Sequence, residues 1–98
     1  MRKKLDPAEI DNQLKTLKDW QLQGEEIVRQ FAFKDFVESM KFVNKIAEIA
    51  ESAQHHPDIK INWNKVTLNL TTHDSGGLTQ NDFDVAKRID KLSSSISI

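Results

Sequence analysis

The chain has 98 residues and no cysteine, which fits a single domain without a disulfide framework. Its 14 basic and 15 acidic residues give a net charge of −1, and this balance argues against a nucleic-acid-binding surface, which would need a basic excess. No apolar run approaches the roughly 18 residues of a membrane span, and no signal-peptide core follows the basic start. We therefore expect one cytoplasmic domain over residues 1–98, with frayed tails at 1–4 and 93–98.

The first predicted helix begins at a dense capping signal. Asp6 can cap the helix, Pro7 suits the first helical position, and Glu9 stands where a capping box needs an acid. Apolar residues at helical spacing extend this prediction to about Lys18.

Alternating residues on both sides of Gly24-Glu25 predict a β-hairpin. Phe31 and Phe33 should face the core. Arg29 shares their side of the strand, and we expect it nearer the sheet edge.

The longest helical pattern runs from Asp35 to Ala53. Its apolar stripe consists of Phe36, Met40, Val43, Ala47 and Ala50, widened by Val37, Ile46 and Ile49. Phe42 lies outside this stripe, so it is either a contact for a partner chain or a half-exposed aromatic residue.

A second hairpin follows Pro57, which ends any preceding helix. If Asn64-Lys65 forms a two-residue turn, Trp63 pairs with Val66 and Ile61 with Leu68, and these side chains share the core face.

The last helix should start at Thr79, with Asp82 as the acid of a second capping box, and run to about Leu92. The element order is then α-β-β-α-β-β-α. It predicts an α+β fold of two layers, a four-stranded antiparallel sheet with three helices on one face.

The segment from Glu51 to Asp82 contains all three histidines of the chain. In the hairpin register above, His56 falls opposite His73, and directly opposed residues have Cβ atoms roughly 4.5–5.5 Å apart. His55 precedes His56, so we expect three imidazoles near one end of the sheet.

Spacing alone leaves three interpretations of these histidines open. The first is metal-free acid–base catalysis near neutral pH, the second is a metal-binding site, and the third is simple packing around a helix end and a strand. A metal site is the weakest of the three, because His55 and His56 are adjacent and would point to opposite faces of a strand.

At these residues the chain resembles the pterin-4a-carbinolamine dehydratases, also known as dimerisation cofactors of a homeodomain factor. The matching residues span a specific pattern: Glu51, His55-His56-Pro57, Trp63, His73 and Asp82. The flanks fit as well, so the resemblance covers roughly residues 5–92.

The resemblance implies a hydro-lyase of tetrahydrobiopterin recycling, which removes water from 4a-hydroxytetrahydrobiopterin to give quinonoid dihydropterin. Its implied site needs no metal and no cofactor, since the pterin is the substrate. His55 and His73 would be the general acid–base groups and His56 would hold the substrate. The remaining implied substrate-binding residues are Glu51, Pro57, Trp63 and Asp82.

The resemblance also implies a homodimer or homotetramer and a link to aromatic amino-acid hydroxylases. Three positions depart from the family pattern, Gln54, Trp63 and Asn81, and they bear on which pterin is bound. Two other roles remain: a binding or coactivator subunit without catalysis, and a dehydratase of another pterin pathway, such as that of molybdopterin.

Overall fold

The structure is a computed structural model that describes residues 3–95. Its elements follow the predicted order α-β-β-α-β-β-α, which confirms the α+β fold. They are α1 (Pro7–Leu14), β1 (Gln21–Gln23), β2 (Glu26–Ala32), α2 (Phe36–Ala53), β3 (Asp58–Asn62), β4 (Lys65–Leu70), a 3-10 turn (His73–Ser75) and α3 (Gln80–Ser95).

The four strands form one antiparallel sheet in the order β1-β2-β4-β3. One face of this sheet carries the core, and all three helices contribute side chains to that core. The central strands supply it with Ile27, Phe31, Val66, Leu68 and Leu70, each at most 3% exposed. Within residues 3–95, no helix is long and apolar enough to cross a membrane.

The capping box of α1 is confirmed, because Asp6 Oδ1 accepts from the Glu9 amide at 2.8 Å and Glu9 Oε1 accepts from the Asp6 amide at 3.0 Å. The predicted end of α1 near Lys18 is wrong, since the helix stops at Leu14. Tertiary contacts override the helical pattern here. The Lys18 amide, which would bond within the helix if the helix continued, donates to Asp90 Oδ2 at 3.1 Å instead.

The predicted buried face of α2 is right for Ile46 and Ala50, which are 0% and 3% exposed, but wrong at the start of the helix. Phe36 is 50% exposed and Val37 is 60% exposed, whereas Phe42 is 1% exposed. Phe42 packs between two aromatic rings of β2 and its extension, at centroid distances of 4.8 Å to Phe31 and 4.9 Å to Phe33. The apolar stripe was wide enough to fit two orientations of the helix, and these rings selected the one that buries Phe42.

The second hairpin is shifted by two residues from the predicted register. Asn62 pairs with Lys65 and Ile61 with Val66, so the turn consists of Trp63 and Asn64. Asn64 fixes this register, because its Nδ2 donates to the Phe33 carbonyl at 3.0 Å. A shift of two preserves which face each strand residue occupies, but it moves Trp63 out of the core and into the turn.

Arg29 is on the core side, as predicted, but β2 is an interior strand, so the expected position near the sheet edge is wrong.

At the other end of the chain, α3 continues to Ser95, three residues past its expected end. Ser93 is 7% exposed there. The remaining parts of the expected frayed tails, residues 1–2 and 96–98, lie outside the described residues.

Candidate active site

A left-handed residue at the end of α2 separates the two adjacent histidines. Gln54 has φ 53° and ψ 39°, and it closes the helix with a bond from its amide to the Ala50 carbonyl. After this turn His55 points inward and is 5% exposed, while His56 points outward with a side chain that is 58% exposed. The predicted separation of the two rings to opposite sides is therefore what the chain adopts.

His55 rests on a buried carboxylate from α3. Its Nε2 lies 2.5 Å from Oδ1 of Asp82, which is 0% exposed. The other oxygen of Asp82 accepts from the Thr72 hydroxyl at 2.8 Å and from the Thr79 amide at 2.9 Å. Asp82 thus has three polar partners, and it holds the Nε2 side of the His55 ring in place.

Two threonine hydroxyls extend this network behind the carboxylate. Thr72 Oγ1 lies 2.9 Å from Thr79 Oγ1, and both residues are buried. Thr72 has one hydroxyl hydrogen and donates it to Asp82, so the Thr79 hydroxyl donates to Thr72. The Asp82 carboxylate on α3 is thus held by three residues: His55 after α2, Thr72 after β4 and Thr79 just before α3.

His56 and Glu51 form a second, exposed pair. His56 Nε2 lies 2.5 Å from Glu51 Oε2, and the Glu51 side chain is 73% exposed. Glu51 stands on the last turn of α2, so it orients His56 from the helix side.

His73 opens the 3-10 turn that follows β4, and its side chain is exposed. Thr72 closes this loop with two backbone bonds to Gly77, at 3.1 and 3.3 Å. The predicted pairing of His56 opposite His73 is wrong, because the register is shifted and β3 begins only at Asp58. The predicted meeting of the three rings nevertheless occurs.

The three imidazoles share one open cavity of about 250 Å³. Its lining residues are Gln54, His55, His56, Thr71, Thr72, His73 and Asp74. The cavity has both polar and apolar surface, and it offers one imidazole held by a buried carboxylate beside two exposed ones.

Four other residues that the sequence proposed for substrate binding do not line this cavity. Asp82 is buried behind His55. Glu51 contacts His56, which does line the cavity, and Pro57 is buried just before β3. Trp63 is 65% exposed in the turn at the far end of β3, whose five residues span roughly 16 Å at about 3.3 Å per residue.

Sequence reasoning missed Thr72, although a signal for it was present. Val66, Leu68 and Leu70 alternate towards the core, and the same alternation places position 72 on the core side. The residue at that position is a threonine, so the sequence predicts a buried polar side chain there. A buried polar side chain is more informative than an exposed one, because it needs a partner.

Comparison with known proteins places this site in a family. The family model described as pterin 4 alpha carbinolamine dehydratase matches residues 3–92. The chain belongs to the pterin-4a-carbinolamine dehydratase family. A relative from Picosynechococcus, provisionally named a pterin-4-alpha-carbinolamine dehydratase, is 53% identical over 92 residues, which cover 94% of this chain and 100% of the relative. A relative of the same provisional name from Cyanothece is 54% identical over 93 residues, 95% of this chain and 96% of its own length.

Solved structures agree with the fold of the dehydratase family. A transcriptional coactivator/pterin dehydratase from Brucella melitensis aligns with a TM-score of 0.86 and 34% identity, covering 91% of this chain and 97% of its own. A pterin dehydratase-like protein, a RuBisCO assembly factor of the alpha-carboxysome, aligns with a TM-score of 0.66 and 24% identity over 78% of this chain and 90% of its own. At that identity the second neighbour supports the fold alone.

Within the dehydratase fold of this chain, the site consists of nitrogen and oxygen groups suited to proton transfer and hydrogen bonding. Across residues 3–95, no group of three or more His, Cys, Asp or Glu side chains is arranged to hold a metal ion.

Proposed function

We propose that this protein dehydrates 4a-hydroxytetrahydrobiopterin to quinonoid dihydropterin and water, in the recycling of tetrahydrobiopterin. The observation that carries the proposal is the meeting of His55, His56 and His73 at one open cavity, with His55 backed by the buried Asp82. Family membership supports the same reaction class.

The reaction requires two proton transfers. A proton must reach the 4a-hydroxyl so that the carbon–oxygen bond can break and water can leave. A ring nitrogen must lose its proton so that the carbon–nitrogen double bond can form. Imidazoles perform both tasks near neutral pH, and acid–base assistance of this kind is typically worth about 10²–10⁴-fold in rate.

We assign the transfers to His55 and His73. Asp82 fixes the orientation of the His55 ring through Nε2, so His55 would act from a set position beside the substrate. His73 would act from the loop after β4, on the other side of the bound ring. His56, oriented by Glu51, would chiefly hold the substrate. No metal ion or cofactor is needed in this scheme.

The deciding measurement is stopped-flow dehydration of a 4a-hydroxypterin that is generated in situ. We expect acceleration by the wild-type protein, little by the His55→Ala/His73→Ala double variant, and wild-type rates from Lys45→Ala, whose side chain is 61% exposed on α2. Equal rates with and without the wild-type protein would reject the proposal. Stoichiometric zinc in the untagged protein, together with activity lost on chelation, would reject the metal-free scheme.

A second candidate function is a binding subunit that stabilises a partner protein. The exposed Phe36 and Val37 at the start of α2 favour it, and the Brucella neighbour bears the name of a coactivator as well as a dehydratase. The two exposed rings in the open cavity favour catalysis, since a pure scaffold needs neither. A protein that binds pterins but dehydrates only a different pterin would instead support a role in another pathway, such as that of molybdopterin.

A further inference from the structure

Two residues close the loop that carries His73. Thr72 begins this loop and Gly77 ends it, and their backbones bond to each other in both directions, at 3.1 and 3.3 Å. Between them His73 and Asp74 are exposed and line the cavity. The position of the His73 ring therefore depends on what holds the two ends of the loop.

The turn of the first hairpin supports the beginning of this loop. Gly24 has φ 60°, and together with Glu25 it forms the two-residue turn between β1 and β2. The hydroxyl of Thr71, just before the loop, donates to the Glu25 carbonyl at 2.6 Å. Thr71 itself lines the cavity, so the backbone of Glu25 is one side chain away from the site.

The side chain of Glu25 lies over the other end of the same loop. A methyl group built on Gly77 would overlap the Glu25 carboxylate and would lie 2.8 Å from Lys4 Cε. Gly77 is buried at this point, and unlike Gly76 its φ is not in the left-handed region. The close approach of Lys4 and Glu25 is therefore the reason for a glycine here.

Lys4 holds the Glu25 carboxylate over the loop. Its Nζ lies 3.4 Å from Glu25 Oε2, and its backbone forms a β-bridge with Thr79, two residues after the loop. The two paired side chains are 52% and 63% exposed, so dissolved salt screens their attraction. The ion pair is thus a weak contact at the point where the loop closes.

We propose that Glu25 is a positioning residue for His73: its carbonyl holds Thr71, and its carboxylate, paired with Lys4, keeps the loop closed at Gly77. Glu25 lies outside the cavity lining, so it acts through the loop and touches no reacting atom. The effect on loop closure stands on these contacts alone. The effect on turnover rests on the proposed function, because it takes His73 as a proton-transfer group.

Amide hydrogen exchange tests loop closure without any assay of activity. The Thr72 and Gly77 amides are bonded across the loop, so their exchange rates report its opening. Glu25→Gln removes the charge but keeps the length of the side chain and the carbonyl that Thr71 uses. We expect both amides to exchange faster, by up to about fivefold, which is the most that an exposed ion pair contributes to such an equilibrium.

Two controls separate this effect from a general loss of stability. The Phe33 amide donates to the Asn64 carbonyl at the opposite end of β4, so its exchange should not change in Glu25→Gln. Glu48→Gln removes the same charge from an exposed pair with Lys45 on α2, and it should leave the loop amides unchanged.

A charge swap and added salt test the ion pair itself. The double variant Lys4→Glu/Glu25→Lys reverses both charges and should restore slow exchange of the loop amides. Potassium chloride at about 1 M should speed their exchange in the wild type but not in Glu25→Gln, because the variant has no pair to screen.

Gly77→Ala tests the close approach at the end of the loop. The new methyl group displaces the Glu25 carboxylate, which is a flexible chain end, so the Thr72 amide should exchange faster. In a Glu25→Ala background that space is open, and the same substitution should add nothing. Equal effects of Gly77→Ala in the two backgrounds would reject the close approach.

The other outcomes decide the rest of the proposal. Unchanged exchange at Thr72 and Gly77 in Glu25→Gln would overturn it, as would equal acceleration in Glu48→Gln or at the Phe33 amide. A charge swap that fails to restore slow exchange would show that the ion pair does not close the loop.

Turnover tests whether loop closure positions His73. Glu25→Gln should lower kcat for dehydration by up to about fivefold with little change in KM, and the charge swap should restore it. A loop that opens while kcat stays the same would refute the positioning role. If the wild-type protein has no dehydratase activity, the proposed function fails, and proton NMR of the three imidazoles decides the role of Glu25. In Glu25→Gln the His73 signals should then shift while those of His55, held by Asp82, stay in place, and unshifted His73 signals would refute the inference.

Discussion

Asp90 of α3 holds Arg29 of β2 through a 2.7 Å contact between Oδ1 and Nη1, with only 16% and 12% of the two side chains exposed. The same oxygen accepts from the Trp20 indole at 2.7 Å. Arg29 also lies over the Phe31 ring, 4.2 Å from its centroid, and its buried Nε has no hydrogen-bond partner in the described part of the chain. The guanidinium therefore depends on Asp90 for compensation of its charge.

Removing Asp90 should destabilise the fold strongly. Asp90→Ala leaves a largely buried cation without its partner, which typically costs about 3–5 kcal/mol. Asp19→Ala is the matched control, since Asp19 approaches Arg29 only at 4.0 Å and is 71% exposed, so its loss should cost at most about 1 kcal/mol. Urea unfolding of both variants measures the difference, and equal midpoints would contradict the role given to Asp90.

Thr72 should act on catalysis through Asp82. Thr72→Val removes the 2.8 Å bond to Asp82 and leaves a buried carboxylate with one donor fewer, at a cost of about 1–3 kcal/mol. We expect a lower kcat and a displaced pH profile of kcat/KM, both restored by Thr72→Ser. Thr67→Val on the polar face of the sheet is the control. If the pH profile of kcat/KM is unchanged in Thr72→Val, the role of Thr72 is purely structural.

His55 and His73 should differ in selectivity towards the two 4a-stereoisomers. If they act on opposite sides of the substrate, each alanine variant should slow one isomer more than the other, by up to about 10²–10⁴-fold. The double variant should be nearly inactive. His56→Ala should raise KM more than it lowers kcat, because it removes ground-state binding. Full rates of both single variants with both isomers would contradict this division.

The same histidines should differ in their contribution to stability. From the sequence we would expect alanine to be tolerated at all three. The structure changes that expectation for His55, since its removal leaves Asp82 buried and short of one donor. Thermal unfolding should show a lower Tm for His55→Ala than for His73→Ala, whose ring is exposed. A Tm of His55→Ala equal to that of the wild type would show that the pair contributes nothing to folding.

Phe42 and Phe36 offer a matched test of the buried face of α2. Phe42→Ala should cost about 3–5 kcal/mol, because it empties the space between two core rings. Phe36→Ala makes the same chemical change at a residue that is 50% exposed, so its cost in the monomer should be small. Denaturant unfolding at low protein concentration compares them, and a larger cost at Phe36 would reverse the assigned face.

The sequence was sufficient for features that depend on local signals. The capping box of Asp6 and Glu9, the turn at Gly24-Glu25 and the alternation of Phe31 and Phe33 each involve neighbouring residues, and each occurs as predicted. The meeting of the histidines also followed from local structure, because any short hairpin returns its second strand to the start of its first.

Features set by distant contacts could not be predicted in the same way. The register of β3 depends on Asn64 contacting Phe33, which lies 31 residues earlier. The buried face of α2 depends on the rings of β2, and the Arg29–Asp90 pair joins elements 61 residues apart. No pattern within one helix or one hairpin contains such information.

Lys4 and Leu5 contact the segment before α3 that supports Asp82, and Asp82 in turn orients His55. Lys4 forms a β-bridge with Thr79, and the Leu5 amide donates to the Leu78 carbonyl at 2.8 Å. Thr79 in turn donates its own amide to Asp82. A chain with both hairpins formed, but with Lys4 and Leu5 undocked, would hold three imidazoles without the contacts that orient His55 through Asp82. Enzymatic turnover would therefore appear late in refolding, after the spectroscopic signal of the sheet.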